Sequence, residues 1–504
     1  MTISNRGASP IVQTSGVALS DAIRSKQVSC VEVMDAYLDH IGIHNAAVNA
    51  IVALADRDLL LRQSAERDAQ LARGEWLGPL HGFPQAIKDL DDAAGFPTSM
   101  GSSLFKGQVA ASDSLYVERM KRSGCVIIGK TNTPEFGLGS QTYNSVYGTT
   151  RNAYDPSMAA GGSSGGAAVA LALRMQAVVD GSDHAGSLRN PAAFNNVFGL
   201  RPSFGRVPSV TGDVFSPSLT VMGPMARSVP DLAMLLSVQA GYDPRAPLSL
   251  DSDPALFARP LARDFRGTRV AWFGDFEGAM PFEAGVLELC ERALQVFESL
   301  GCIVEHVRPD WPMEEVWQNW LVLRSWRIAA WLKDSYADPI KRRQLKPEAL
   351  WEIERGLKLT ATEVTDASNA RSAWHARMQK FMQTHEFVLL PSAQVFPFDA
   401  AVHWPREVAG VAMDTYHRWM EVAIPITMCG SPSLNVPAGF DPHGLPTGLQ
   451  IVGRLRDEWG CLQLADAYDQ ATRWVERHPS PLLGSNAGSG PLTNSAFSFF
   501  AAGT

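Results

Sequence analysis

The sequence predicts a layered α/β fold with a large apolar core. Helical segments alternate with short, fully apolar runs: "LYVERMKRSG" has the spacing of an amphipathic helix, and "GCVIIGKTN" directly after it is typical of a buried strand. The chain has 504 residues, of which 45% are hydrophobic, so it exceeds the length at which a single core stops growing. We therefore expect a central sheet covered by helices, in one large domain or two fused lobes.

The first 75 residues are predicted to be helical. "SDAIRSKQVSCVEVMDAYLDHI" spaces its apolar residues at helical intervals, with Ser20 as the N-cap. A second helix is predicted over "AIVALADRDLLLRQSAERDAQLARGEW", where Gly74 ends it. This part of the chain is expected to pack as a helical segment on the core.

The middle of the chain returns to alternating strands and helices. "GGAAVALALRM" is so rich in alanine and leucine that it predicts a helix buried against a sheet, and "QAVVDGSD" after it reads as a strand. After a connector rich in Pro, Ser and Asp (residues 246–265), "TRVAWFGDF" predicts a strand and "EAGVLELCERALQVFESLG" a long helix. Residues 311–380 are predicted to be helical and are rich in tryptophan, and "FVLLPSAQVFP" and "PSLNVPAGF" again predict strands.

Composition excludes several classes of protein. The net charge is −8 and no basic stripe appears, so no nucleic-acid partner is expected. No apolar run has the length of a membrane span, and no signal-peptide pattern opens the chain. The six cysteines form no CxxC pair, which argues against a zinc or redox site and favours a reducing compartment. We expect a cytoplasmic protein that is a monomer or a homodimer, without cofactor or metal.

Two serine clusters, each surrounded by glycine, are the candidate catalytic segments. In the first, "GGSSGG", Ser164 satisfies the G-x-S-x-G pattern of a nucleophile elbow, but the elbow requires a strand directly before it and the preceding "RNAYDPSMAA" predicts none. A phosphate-binding loop is also excluded, because no lysine follows the glycines. The second cluster, "GSDHAGSLRNPA", can present several successive N–H groups beside Ser187, as an oxyanion hole requires; alternatively it is a structural turn.

These segments resemble the amidase signature family. "GGSSGGAA" is similar to the glycine-serine signature of that family, "GSDHAGSLRNPA" to its nucleophile segment, and "GFPQAIKDL" to the segment that carries its lysine, here Lys88. Four further blocks look like family blocks and follow in the family's order: "GKTNTPEFG", "YGTTRNAYDP", "GPMARSVPDLAMLLSVQAG" and "PSLNVPAGFDPHGLPTGLQIVGR". The resemblance covers about residues 18–482 and is weakest between 265 and 400.

The resemblance implies a mixed, twisted central sheet with helices on both faces and an additional helical stretch over the active site. It implies an N-terminal helical segment (1–75), a core that carries the catalytic residues (76–245), a variable tryptophan-rich helical region that shapes the substrate pocket (246–400), and a C-terminal part of the core (401–482). Residues 483–504 are expected to form a flexible tail.

The resemblance also implies a Ser-Ser-Lys triad. Ser187 is the expected nucleophile, Ser163 the bridging serine after a cis peptide bond at Gly162, and Lys88 the base. A serine hydroxyl needs a neighbouring base, and a lysine serves as one only where burial keeps it largely neutral. The backbone N–H groups expected to form the oxyanion hole are those of His184, Ala185, Gly186 and Ser187. The supporting residues are Gly162, Ser164, Asp183 and Arg189, with Asp183 and Arg189 as an ion pair.

His184 is an alternative base or metal ligand, because it lies three residues before Ser187. No HExxH motif or second ligand at a suitable spacing accompanies it, so we interpret its side chain as a wall of the pocket. The chain departs from the common family pattern at Ala185, where many members have glycine, and at Ser182, where threonine is common. Neither departure removes a reacting group.

The expected reaction is hydrolysis of a small-molecule carboxamide through a serine acyl-enzyme. Aryl or apolar amides are the expected substrates, with carbamates (urethanes) or esters as further ones. Trp317, Trp320 and Trp331 have the spacing of one helical face and either line the pocket or belong to the core. The alternative functions are a glutaminase-type subunit of a tRNA-dependent amidotransferase, which needs protein partners, and a binding protein without activity.

Overall fold

The fold is built on an eight-stranded mixed sheet, seen in a computed structural model that describes residues 9–210, 212–216 and 219–484. The strand order is β10-β9-β11-β15-β14-β7-β8-β6. The strands of this sheet are β6 (Val178–Asp183), β7 (Phe198–Arg201), β8 (Val221–Ala226), β9 (Arg269–Trp272), β10 (Ile303–His306), β11 (Phe387–Pro391), β14 (Ser433–Phe440) and β15 (Pro446–Val452). Strands β10, β9 and β11 are parallel, and every other neighbouring pair is antiparallel.

A smaller sheet of three strands lies beside the edge strand β6. Its strands are β1 (Ile51–Val52), β2 (Pro84–Lys88) and β3 (Val126–Thr131), in the order β1-β3-β2. The Lys88 N–H donates to Asp180 Oδ2 on β6 at 3.1 Å, so the ends of β2 and β6 meet. Two further pairs of short strands are β4 (Tyr143–Asn144) with β5 (Gly148–Thr149) and β12 (Glu407–Val408) with β13 (Val411–Ala412).

Helices cover both faces of the large sheet, which confirms the predicted fold class. Alternation along β11 shows the two faces: Phe387 and Leu389 join one apolar cluster, and Val388 and Leu390 join another on the opposite side. The helices are α1 (Pro10–Gln13), α2 (Gly16–Arg24), α3 (Cys30–Val48), α4 (Arg57–Ala72), α5 (Leu115–Arg122), α6 (Gly165–Ala172), α7 (Arg189–Phe194), α8 (Val229–Gln239), α9 (Val286–Ser299), α10 (Met313–Ala337), α11 (Pro339–Arg342), α12 (Pro347–Gly356), α13 (Ala361–Phe381), α14 (Ile424–Cys429), α15 (Glu458–Thr472) and α16 (Trp474–Arg477).

The predicted N-terminal helices are divided differently in the structure. Ser20 lies inside α2 and caps no helix; Ser15 caps α2, and Ser29 caps α3, where the Ser29 N–H donates in return to the Glu32 carboxylate. The prediction was wrong because apolar residues at helical spacing continue across the turn between α2 and α3, and this spacing does not mark where one helix ends. The second predicted helix begins only at α4, capped by Asp56, since its first apolar residues form β1.

The region 246–400 is more than a helical addition. It contains helices α9 to α13, but it also supplies β9, β10 and β11, three neighbouring strands of the large sheet. The tail expected to be flexible lies outside the described residues from 485 onward. No helix in the described part of the chain has both the length and the apolar character that crossing a membrane requires.

Candidate active site

Lys88 lies at the carboxyl end of β2 and is completely buried. Its Nζ atom is 2.8 Å from Ser163 Oγ, 2.7 Å from Ser164 Oγ and 3.0 Å from Ser182 Oγ, with the Ser182 carbonyl oxygen at 3.3 Å. An ammonium group has only three protons to donate, whereas a neutral amine donates two and accepts one hydrogen bond. Three hydroxyls around one amine therefore provide partners for either protonation state.

Burial lowers the pKa of Lys88 to about 7, because the interior disfavours the charged form. The carboxylates of Asp91, Asp180 and Asp183 oppose this shift. A lysine with a pKa near neutrality can accept a proton from a hydroxyl at physiological pH. The environment of Lys88 thus gives it the property that a general base requires.

The first serine cluster is held in an unusual backbone conformation between β5 and α6. The peptide bond from Gly162 to Ser163 is cis, as expected. Ser140 Oγ donates to the Gly162 carbonyl at 2.6 Å. Ser164 is the N-cap of α6, and the residues directly before it form no strand. The nucleophile elbow is therefore absent here, as the sequence indicated.

Ser187 lies in the loop that joins β6 to α7, beside the first cluster. Its carbonyl oxygen accepts a hydrogen bond from the Ser164 N–H at 3.3 Å, which joins the two serine clusters. Gly186 has a φ of +99°, in the region that favours glycine, and a Cβ there would lie 2.9 Å from the Ala423 side chain. Both Ser163 and Ser187 are almost completely buried.

The backbone N–H groups of this loop have different partners. The Gly186 N–H donates to Asp183 Oδ1 at 2.8 Å, so in this conformation it is not free for a substrate oxygen, contrary to the expectation. Within the described residues, the N–H groups of Ala185 and Ser187 have no hydrogen-bond acceptor. Unpaired N–H groups next to a candidate nucleophile are suited to stabilise an oxyanion.

Asp183 and Arg189 form the expected ion pair behind the loop, at 2.9 Å. A second guanidinium, that of Arg201, lies 3.1 Å from the same carboxylate. Despite complete burial, these two cations and the donated N–H groups hold the pKa of Asp183 well below its usual range. The carboxylate therefore stays charged and fixes the course of the loop through the N–H groups of Gly186 and Leu188.

His184 is placed away from the amine of Lys88. Its Nδ1 atom pairs with Thr220 Oγ at 2.9 Å, and its ring centroid lies 6.2 Å from that of Trp320. Burial lowers the pKa of His184 far below its ordinary value, and the nearby guanidinium of Arg324 adds to the effect. A neutral imidazole in contact with an indole is consistent with a pocket wall. No group of three or more His, Cys, Asp or Glu side chains that could hold a metal occurs in the described residues.

The three candidate tryptophans of α10 occupy different environments. Trp317 and Trp320 are buried, pack on each other and contact the ring of His417. Trp331 is 47% exposed and meets Phe136 edge to face, with 5.3 Å between ring centroids. A Cβ built on the next residue, Gly137, would lie 3.5 Å from Ser163 Oγ, so the segment that contacts Trp331 through Phe136 also passes beside the first serine cluster.

Sequence patterns alone do not identify several residues that contact the candidate site. Ser182 was noted only as a departure from threonine, yet its hydroxyl contacts Lys88; its place directly before Asp183 was the available signal. Arg201 and Phe136 lie 12 and 26 residues from the nearest predicted site residue (Arg189 and Gly162), and nothing local marks them. Such contacts depend on how distant segments pack.

Comparisons with known proteins give a consistent result. The profile of the family described as Amidase matches residues 32–462. An acylamidase of Rhodococcus erythropolis is 32% identical over 482 residues, covering 93% of this chain and 98% of that protein. A glutamyl-tRNA(Gln) amidotransferase subunit from Thermosynechococcus vestitus is 32% identical over 481 residues, covering 90% of this chain and 97% of that protein. The structure of a bacterial aryl acylamidase of the amidase signature enzymes superposes with a TM-score of 0.87 at 26% identity, covering 96% of this chain and 100% of that one.

Proposed function

We propose, from the premise that this chain belongs to the amidase signature family and is an amide-hydrolysing enzyme, that Ser187 attacks the carbonyl carbon of a carboxamide. The observation that carries the proposal is the buried Lys88 amine, 2.8 Å from Ser163 Oγ and with its pKa lowered to about 7. Ser163 in turn belongs to the segment that is hydrogen-bonded to the backbone of Ser187. These contacts support a route in which Lys88 is the base, Ser163 the relay hydroxyl and Ser187 the nucleophile.

In the first half of the reaction, the Ser187 hydroxyl loses its proton through Ser163 to Lys88 as its oxygen bonds to the carbonyl carbon. The negative charge that develops on the carbonyl oxygen is stabilised by the N–H groups of Ala185 and Ser187. The proton returns through Ser163 to the nitrogen of the leaving amine, and the carbon–nitrogen bond breaks. Water then releases the acid from the Ser187 ester by the same proton route in reverse.

For the substrate, we propose an amide with an aryl or apolar group, and carbamates or esters as further substrates. Trp331 supports this, because its half-exposed ring packs on Phe136, in the segment that passes beside Ser163 at Gly137. His184, which is backed by the buried ring of Trp320, would supply a second wall beside the oxyanion N–H groups. The likeness to an acylamidase and to an aryl acylamidase supports the same substrate class.

A second candidate is the glutaminase-type subunit of a tRNA-dependent amidotransferase, favoured by the 32% identity to an amidotransferase subunit. The two candidates differ in what the purified chain does alone. An acylamidase hydrolyses an anilide without a partner, whereas a glutaminase-type subunit hydrolyses glutamine and depends on partner proteins. We also propose a cytoplasmic location, supported by the six buried, unpaired cysteines.

The test is the Ser187→Ala variant together with a serine-directed phosphonate. We expect the variant to fold and to lose anilide hydrolysis, and the phosphonate to label the unmodified enzyme at Ser187. Ser164→Ala is the matched control, because Ser164 also contacts Lys88. We expect the phosphonate to label this variant at Ser187, as it labels the unmodified enzyme. Labelling at Ser164 would contradict the assignment, and turnover of glutamine only in the presence of partner proteins would favour the second candidate.

A further inference from the structure

Two buried carboxyl groups lie next to Lys88 but take no part in the reaction described above. Asp180 belongs to β6, and Asp91 follows β2 in the chain. Both side chains are almost completely buried, and the buried hydroxyl of Tyr116 on α5 interacts with both. Asp91, Asp180 and Tyr116 are here called the carboxyl cluster, which is joined to Lys88 where Asp180 accepts a hydrogen bond from the Lys88 backbone N–H.

The hydrogen bonds of the carboxyl cluster are incomplete if both acids are ionised. Asp180 Oδ2 accepts from the Lys88 N–H at 3.1 Å and from the Tyr116 hydroxyl at 2.9 Å. Asp180 Oδ1 and Asp91 Oδ2 are buried and have no partner in the described residues. A carboxylate only accepts, but a protonated carboxyl donates, so one proton on the cluster would supply a donor where the described residues offer these oxygens none. Leaving them unpaired would cost the full desolvation of charged oxygens.

The charges around the cluster do not compensate two carboxylates. In the described part of the chain, neither Asp91 nor Asp180 forms an ion pair. The charged or titratable groups that face Lys88 or the cluster are Lys88 itself, Asp89 beside it, Lys130 on β3, Tyr116 on α5 and Asp183 on β6. Lys130 lies 4.0 Å from Asp89, and Asp183 is bound by Arg189 and Arg201. Lys88 is the cation left to balance one further charge.

We propose that Asp91 and Asp180 share a single proton, so that the carboxyl cluster carries one negative charge, and that this charge makes both aspartates positioning residues for Lys88. The proposal rests on the proposed role of Lys88 as the base. Asp180 fixes the backbone of Lys88 through its N–H, and the shared charge sets how readily the amine holds a proton. Two ionised carboxylates at this place would hold Lys88 permanently charged, whereas none would weaken its basicity.

The proposal is tested with Asp91→Asn, Asp180→Asn and the double variant, through the pH dependence of kcat/KM on an anilide. In each single variant the remaining carboxyl ionises, the asparagine amide donates to it, and the charge stays at one. We therefore expect the alkaline-rising limb to stay within about 0.3 pH unit of its original position in either single variant. The double variant removes the charge, and its limb should move to lower pH by about 1–3 units. A large shift in either single variant, or none in the double variant, overturns the proposal.

Infrared difference spectra give a readout that does not depend on activity. At neutral pH the difference spectrum between the unmodified enzyme and each single variant should contain one carboxylic-acid carbonyl band, because the shared proton is lost with either partner; buried acids elsewhere, such as Glu421, are common to both proteins and cancel. The absence of this difference band for either single variant refutes the shared proton even if the double variant does not fold. Asp231→Asn is the matched control, since Asp231 is also buried with one unpartnered oxygen but binds the N–H of Val17 far from Lys88. If the enzyme hydrolysed no amide, the pH limb would be missing and the band would still decide the proton count.

Discussion

The pH dependence of hydrolysis is the most direct prediction from the geometry of Lys88. If Lys88 accepts the proton of Ser187 through Ser163, only molecules with a neutral amine react. Since burial lowers the pKa of Lys88 to about 7, kcat/KM should fall about tenfold per pH unit below neutrality and reach a plateau above it. At pH 8 about nine-tenths of the enzyme would be active, against roughly 0.3% for a lysine of ordinary pKa.

The same shift makes a prediction about stability. The folded state loses the Lys88 proton near pH 7, whereas the unfolded chain keeps it until its ordinary pKa of 10.5. Between these values the unfolded state binds more protons, so the free energy of unfolding rises with pH. The fully protonated enzyme below pH 7 therefore bears a penalty of about 5 kcal/mol, which disappears as pH rises to 10.5.

Lys88→Met separates this contribution from all others, because methionine has a similar shape and no charge. The stability advantage of the variant over the unmodified enzyme should decrease by about 2 kcal/mol from pH 7 to pH 9. Urea unfolding at several pH values measures the difference, and kcat/KM of the unmodified enzyme gives the pH limb. A constant difference between the two proteins, or a limb that follows an ordinary lysine, would refute the reasoning.

Three further predictions concern the surroundings of the amine. Trp331→Ala should raise KM for bulky anilides about fivefold, for roughly 1 kcal/mol of lost apolar contact, and leave KM for acetamide unchanged. Trp326 is a similarly exposed tryptophan of α10, and Trp326→Ala should change neither KM. Equal losses on both amides in Trp331→Ala would contradict the prediction. Asp183→Asn should lower the free energy of unfolding by about 3–5 kcal/mol, because the Arg189 guanidinium is left buried without its carboxylate, and an unchanged urea midpoint would count against it. His184→Ala should keep the rise of kcat/KM with pH. If this rise disappeared in the variant, His184 would be the base.

The sequence predicted the strands and helices whose apolar pattern is decided locally. The apolar run in "GCVIIGKTN" became β3, and the alanine-rich segment after the first serine cluster became the buried helix α6. It failed at Ser20, which lies inside α2, since periodicity contains no information about where the chain turns between α2 and α3. The cap at Ser29, with Glu32 three residues later, was the local signal that could have divided them.

For the candidate site, the sequence determined the residue types of the candidate catalytic groups and their order along the chain. These are a lysine and then two glycine-rich serine segments, whose motifs resemble one family. Tertiary structure alone decided that the Lys88 amine touches Ser163, Ser164 and Ser182, and that the Gly186 N–H is taken by Asp183. The physical reason is that motifs and periodicity report interactions between neighbours in the chain. The protonation of a buried amine, by contrast, depends on desolvation and on charges that folding brings from β6 and the segment after β2.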